Sequence, residues 1–183
     1  LDAPQRITSL TVMDIVPTHH LMDELHQSVA KTYYHWFCPA QPAPFPETLI
    51  AADPDYFYQS RLLGWGAAKL EQFPANQLQA YRLAWRNPET MRGMCEDYRA
   101  ALIYDFDVDA MDLDRKLTCP ALVLSGADGV MDQMFDMQSV WASRLEDMRH
   151  IAVRGGHFFV DQNPDETLTH PVSYTHLTLP TKA

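Results

Sequence analysis

Three short, nearly unbroken apolar runs mark out strands along this chain. Ser9-Leu10-Thr11-Val12-Met13-Asp14-Ile15-Val16-Pro17 is β-rich and almost continuously apolar, the pattern of a parallel strand buried on both faces, and Pro17 ends it. Pro120-Ala121-Leu122-Val123-Leu124-Ser125-Gly126 repeats the pattern and runs into the turn residues Asp128-Gly129. Phe135, Val140, Trp141 and Leu145 then share one face of a predicted helix, and Met148 to Val153 forms a third strand. Strand, helix, strand within this span is a βαβ unit, which predicts a parallel sheet.

Between the first two strands the period changes. Residues His19 to Asp114 carry helical patterns around Asp23–Tyr34, Asp55–Leu63, Asn76–Trp85 and Pro88–Tyr98. Pro39, Pro42, Pro44 and Pro46 punctuate the segment, and Asp53-Pro54 and Asn87-Pro88 place a capping side chain before a helix-starting proline. The insertion is too long for an ordinary loop and reads as a helical cap over a site. The chain thus divides into a core strand (1–18), a helical cap (19–114) and the C-terminal part of the core (115–171). After Asp165-Glu166-Thr167-Leu168, the stretch Val172 to Thr181 lacks a helical period. It resembles one reading frame of a transposase adapter used in sequencing libraries, so residues 172–183 are taken as an adapter-derived tail outside the fold.

Composition narrows the partners. With 183 residues, 46% hydrophobic and 21% charged, the chain has enough apolar surface for a folded core. A formal net charge of -10 excludes nucleic acid and anionic membrane, which reward a basic face. No apolar run reaches bilayer length and Leu1-Asp2-Ala3-Pro4 has no signal-peptide character, so a cytoplasmic location is expected. Cys38, Cys95 and Cys119 form no CxxC pair and read as reduced thiols; Met94 and Glu96 offer Cys95 no thiolate-stabilising cation. His19, His20, Glu24 and His26 match no zinc spacing and read as a solvated helix start.

The chemistry concentrates at the strand ends. Arg154-Gly155-Gly156-His157-Phe158-Phe159-Val160-Asp161 places a histidine on a glycine turn directly after the third strand, where a group titrating near neutral pH suits a general base. In open parallel sheets ligands sit beyond the carboxyl ends of the strands, and Asp14, Asp128 and His157 all lie there. Asp14 is the preferred partner for the histidine and Asp128 the alternative acid, so two members of a nucleophile, histidine and acid set are in view.

Asp14-Ile15-Val16-Pro17-Thr18, Tyr34-His35-Trp36, Gly64-Trp65-Gly66, Cys95-Glu96-Asp97-Tyr98-Arg99-Ala100 and Gly155-Gly156-His157-Phe158-Phe159-Val160-Asp161 together resemble the fluoroacetate dehalogenases, capped α/β-hydrolases acting on short 2-haloacids. The likeness runs from about Ile7 to Leu168, in order and with compatible spacing. It implies an α/β-hydrolase fold fragment, its C-terminal parallel strands carrying an inserted helical cap. It implies a two-step displacement in which an aspartate attacks the halogen-bearing carbon and a histidine-activated water clears the ester, with no metal or organic cofactor. His157 matches the base and Asp14 the acid that orients it. His35, Trp36 and Tyr98 match the halide-binding residues; Trp65 is a candidate for lining the entry, with packing in the core of the cap as its preferred alternative.

A small anionic haloacid is then the expected substrate, and a homodimer is left open. The family's nucleophile, arginine clamp and oxyanion-hole loop belong to a segment that would precede Leu1, so the chain is expected to be the C-terminal part of an enzyme and inactive alone. An epoxide hydrolase of the same fold, whose cap uses two tyrosines, and a non-catalytic ligand-binding relative are the competing readings.

Overall fold

Three parallel strands, β1 (Leu10–Met13), β2 (Ala121–Gly126) and β3 (Met148–Val153), form one sheet with β2 in the middle. Met13 pairs with Leu124, and Gly126 with Val153. These come from a computed structural model that describes residues 3–64 and 69–178. They divide into two units, residues 3–16 with 112–178 and residues 17–64 with 69–111. Every residue of β2 is buried, as its unbroken apolar run requires. The expectation for β1 is corrected: it spans four residues and alternates half-buried with exposed positions, because it is an edge strand of the described sheet and Thr11 and Met13 face outward.

The helical unit holds α1 (Thr18–Asp23), α2 (Gln27–Thr32), α3 (Tyr34–Phe37), α4 (Phe45–Ala52), α5 (Pro54–Gly64), α6 (Ala75–Trp85), α7 (Pro88–Ala100) and, after a π-helical turn at Ala101–Asp105, α8 (Phe106–Met111). The single helix expected over Asp23–Tyr34 is instead three short ones. The His26 ring accepts the Val29 N–H at 3.4 Å and so starts α2 afresh, and Tyr33 ends it at φ −98°, ψ 25°. The caps at the two proline junctions form: Asp53 accepts the Tyr56 N–H and Asn87 the Glu89 N–H, each at 2.9 Å. Ile50, Met91 and Cys95 form one core cluster in this unit, with Phe57, Tyr58 and Met94 against it. Arg99 of α7 donates to Glu47 of α4 at 2.6 Å, with both side chains less than one-fifth exposed. His19 belongs to this packing: its ring stacks on Phe106 at 4.7 Å.

In the sheet unit the helix expected through Phe135 and Leu145 breaks into α9 (Val130–Met134) and α10 (Met137–Ala142). Phe135 is extended, and the Asp136 carboxylate accepts the Ser139 N–H at 3.1 Å; an aspartate serves better as a cap than inside a helix. A short α11 (Phe159–Gln162) leads into α12 (Pro164–Thr178). α12 continues through Pro171, although the sequence there shows no helical period, and brings Tyr174 against Leu122, Leu124, Val153 and Phe159. Proline's fixed φ is helical, so the interruption is confined to one missing N–H and one crowded carbonyl. No helix among the described residues is long and apolar enough to cross a membrane.

Candidate active site

Asp14 leaves β1 in the left-handed region, at φ 49°, a conformation that a non-glycine residue adopts under constraint. The constraints are visible on both sides. Its N–H donates to Leu124 O at 2.7 Å, and Trp141 Nε1 of α10 holds the next carbonyl, Ile15 O, at 2.8 Å. The side chain is turned inward and only 2% exposed. There Oδ1 accepts the Gly126 N–H at 2.8 Å and Oδ2 meets His157 Nδ1 at 2.6 Å.

His157 arrives by a different route. β3 ends at Val153, and Gly155 turns the chain at φ 115°, where any side chain is strained. The Gln162 Oε1 accepts the Gly156 N–H at 2.7 Å, and Asn163 Nδ2 donates to Arg154 O at 2.6 Å, so the end of the short α11 pins the turn. The loop sits directly on β2: a Cβ at Gly126 would lie 2.2 Å from Gly156 O. The imidazole is one-third exposed while its carboxylate partner is buried. A carboxylate only accepts, so the shared proton belongs to Nδ1 and the neutral ring carries its lone pair on Nε2. Such a ring can take a proton and be stabilised in its charged form by Asp14.

Asp128, the alternative acid, lies exposed in the turn after β2, its N–H donating to Gly155 O at 2.9 Å. The carboxylate that reaches His157 is that of Asp14.

The aromatic candidates gather within the helical unit. His35 on α3 is 4% exposed, and its ring lies 5.9 Å from that of Tyr98 on α7, nearly perpendicular to it. Trp36 meets the same tyrosine edge-on at 5.4 Å. Burial, reinforced by the neighbouring Asp97 charge, raises the Tyr98 pKa, so its O–H stays protonated and able to donate through the neutral range. Trp65 falls outside the described residues. Burial, with the nearby Glu47 charge, pushes the Cys95 thiol up to about 11, which makes it a packing residue and no nucleophile.

Two features were not legible in the sequence. Arg61 of α5 lies over the rings of Tyr34 and Phe57 at 4.4 and 4.9 Å, beside the aromatic group. Ser125, Asp132 and His150 converge on one another in the sheet unit. Only a period-two reading that put Ser125 and His150 on one sheet face would have suggested the second, and nothing in the sequence marks the first.

No protein-family model matches the chain. A fluoroacetate dehalogenase from Burkholderia sp is 50% identical over 167 residues, covering 91% of this chain and 55% of that protein. A provisionally assigned α/β-hydrolase from Nostoc sp PCC 7120 superposes with a TM-score of 0.89 at 35% identity, over 98% of this chain and 60% of that one. A provisionally assigned epoxide hydrolase from Pseudomonas aeruginosa gives 0.87 at 30% identity, over 97% and 59%. The chain therefore spans about half the length of that dehalogenase.

Proposed function

The chain is a relative of fluoroacetate dehalogenase with an α/β-hydrolase fold, and from that premise we propose that it serves the hydrolytic dehalogenation of short 2-haloacids such as fluoroacetate. The observation that carries the reading is the 2.6 Å contact between His157 Nδ1 and a buried Asp14 carboxylate that a backbone N–H also holds. In the first step a carboxylate nucleophile, supplied from outside these 183 residues, attacks the carbon bearing the halogen and expels halide, leaving an ester. In the second, His157 Nε2 takes a proton from water as the oxygen adds to the ester carbonyl. Collapse releases the 2-hydroxy acid and restores the carboxylate.

Asp14 orients the ring and offsets the positive charge it acquires. His35, Trp36 and Tyr98 act as donors to the departing halide. Fluoride is strongly hydrated, and converging N–H and O–H groups replace its lost water.

The test is fluoride release from fluoroacetate, followed by electrode, by a protein in which this chain is continuous with the remainder of a dehalogenase-length sequence. Release that stops on Asp14→Asn supports the reading. The Pseudomonas aeruginosa neighbour keeps epoxide hydrolysis as the alternative, and turnover of epoxides without any halide release would transfer the assignment to it. Binding of haloacids with no turnover would instead make this a ligand-binding relative.

A further inference from the structure

Ser125, the residue before the end of β2, is fully buried, and its hydroxyl is engaged on two sides. It donates to Asp132 Oδ1 of α9 at 2.7 Å and lies 2.8 Å from His150 Nε2 of β3, which is itself 3.7 Å from the same carboxylate oxygen. The roles follow from the inventory of donors. Asp132 as a carboxylate can only accept, so the hydroxyl proton points to it, and the hydroxyl oxygen then accepts an N–H from His150. Serine, histidine and aspartate in contact suggest a nucleophile, but a hydroxyl with no exposed surface meets no substrate.

The place of this bridge in the sheet is what gives it meaning. The residue after Ser125 is Gly126, whose N–H holds Asp14 Oδ1 at 2.8 Å. His150 lies on β3, which leads without interruption into the Gly155-Gly156-His157 turn. The ladder between the two strands ends at Gly126 and Val153, where Ala127 N donates to Val153 O at 2.8 Å and Asp128 N to Gly155 O at 2.9 Å. One strand end thus delivers the grip on Asp14, the other delivers His157, and the Ser125 hydroxyl joins the two strands three residues or fewer from both ends.

We propose that Ser125, Asp132 and His150 are positioning residues for the Asp14–His157 pair, locking the carboxyl ends of β2 and β3 together so that the acid and the imidazole stay within hydrogen-bond distance. The proposal rests on reading that pair as the acid and base of the reaction, but its consequences can be measured without any haloacid. Functional groups need a supporting shell that holds them to within about 0.5 Å, and the partly exposed imidazole makes its Nδ1 hydrogen bond to a carboxylate that the β2 end itself holds.

The test uses the full 183-residue chain. The Nδ1 proton that His157 shares with Asp14 is followed by proton NMR at low field, assigned by its disappearance in His157→Gln, together with its exchange rate with water and thermal melting by circular dichroism. In Ser125→Ala and in the partly exposed His150→Leu, exchange is expected to accelerate about tenfold while melting remains cooperative. His150→Gln returns an N–H donor to a similar reach and should keep exchange near that of the unsubstituted chain, which a purely space-filling role does not predict. If Ser125→Ala does not fold, His150→Leu against His150→Gln decides. Exchange within twofold of the unsubstituted chain in His150→Leu would overturn the proposal. Absence of the resonance from the unsubstituted chain would overturn the Asp14–His157 pairing itself, and the proposal with it.

Discussion

Asp14 and His157 stand 143 residues apart in sequence, yet one hydrogen bond joins a buried carboxylate to a partly exposed ring. The asymmetry is chemically useful. The buried partner is fixed by Gly126 and by its own strained backbone, whereas the exposed partner is placed where water can reach it. If the histidine acts only in the second step, His157→Asn in a dehalogenase-length protein should still be alkylated and should fail to clear the ester. Intact-protein mass spectrometry after addition of fluoroacetate is expected to show a stable adduct on the nucleophilic carboxylate, and normal turnover would remove His157 from the mechanism. Asp14 and His157 were legible in the sequence because each follows an apolar strand run, where parallel sheets place their chemistry. The bridge at Ser125 was not, since a serine ending an apolar run carries no local mark of the side chains that will meet it.

At the scale of elements, close approach decides more than propensity. At Gly126 a side chain would collide with the backbone of Gly156, which has no room to yield, so Gly126→Ala is expected to destabilise the sheet unit by at least about 2 kcal/mol and to displace the His157 turn. Gly93 lies in the interior of α7, where an added methyl would meet nothing within 4 Å, and Gly93→Ala should stabilise by about 0.5–1 kcal/mol. Chemical denaturation of the two variants checks both signs, and equal effects would refute the packing argument.

Tyr58 of α5 gives the helical unit an alkaline limit. Burial, aided by the nearby Cys95 and Tyr98, raises its pKa from 10.0 to about 12. Below pH 10 both folded and unfolded chains hold the neutral phenol; between there and about 12 only the unfolded chain ionises, so stability falls as pH rises through that window. Denaturation midpoints should fall less steeply in Tyr58→Phe over this range, and parallel curves would show that Tyr58 is not the group responsible. The same scale shows where periodicity misleads. The helix expected across Asp23–Tyr34 failed because a histidine cap outweighed a continuous pattern, and the one expected through Phe135 failed because Asp136 restarted it.

For the whole molecule, the proposed mechanism draws its ester-forming carboxylate from outside these 183 residues. On that proposal, proton transfer and halide binding assist displacement, but neither replaces the carboxylate that forms the ester, however close they lie to it. The 183-residue chain incubated with fluoroacetate and chloroacetate is therefore expected to release no halide at any pH. Sustained release abolished by Asp14→Asn would show that a nucleophile resides among these residues after all.

The sequence by itself determined the parallel βαβ order, the helical insertion between its strands, the two proline-junction caps and the strand-end positions of Asp14 and His157. All of these rest on local signals: apolar runs, capping side chains and turn glycines act on their own neighbours. The tertiary structure alone decided that Asp14 rather than Asp128 reaches the imidazole, that β1 is half-exposed, that Tyr174 joins the core and that Ser125 bridges two strands. These depend on contacts between residues far apart in the chain, where strand order, sheet face and the approach of one backbone to another choose among candidates that composition and spacing leave equal.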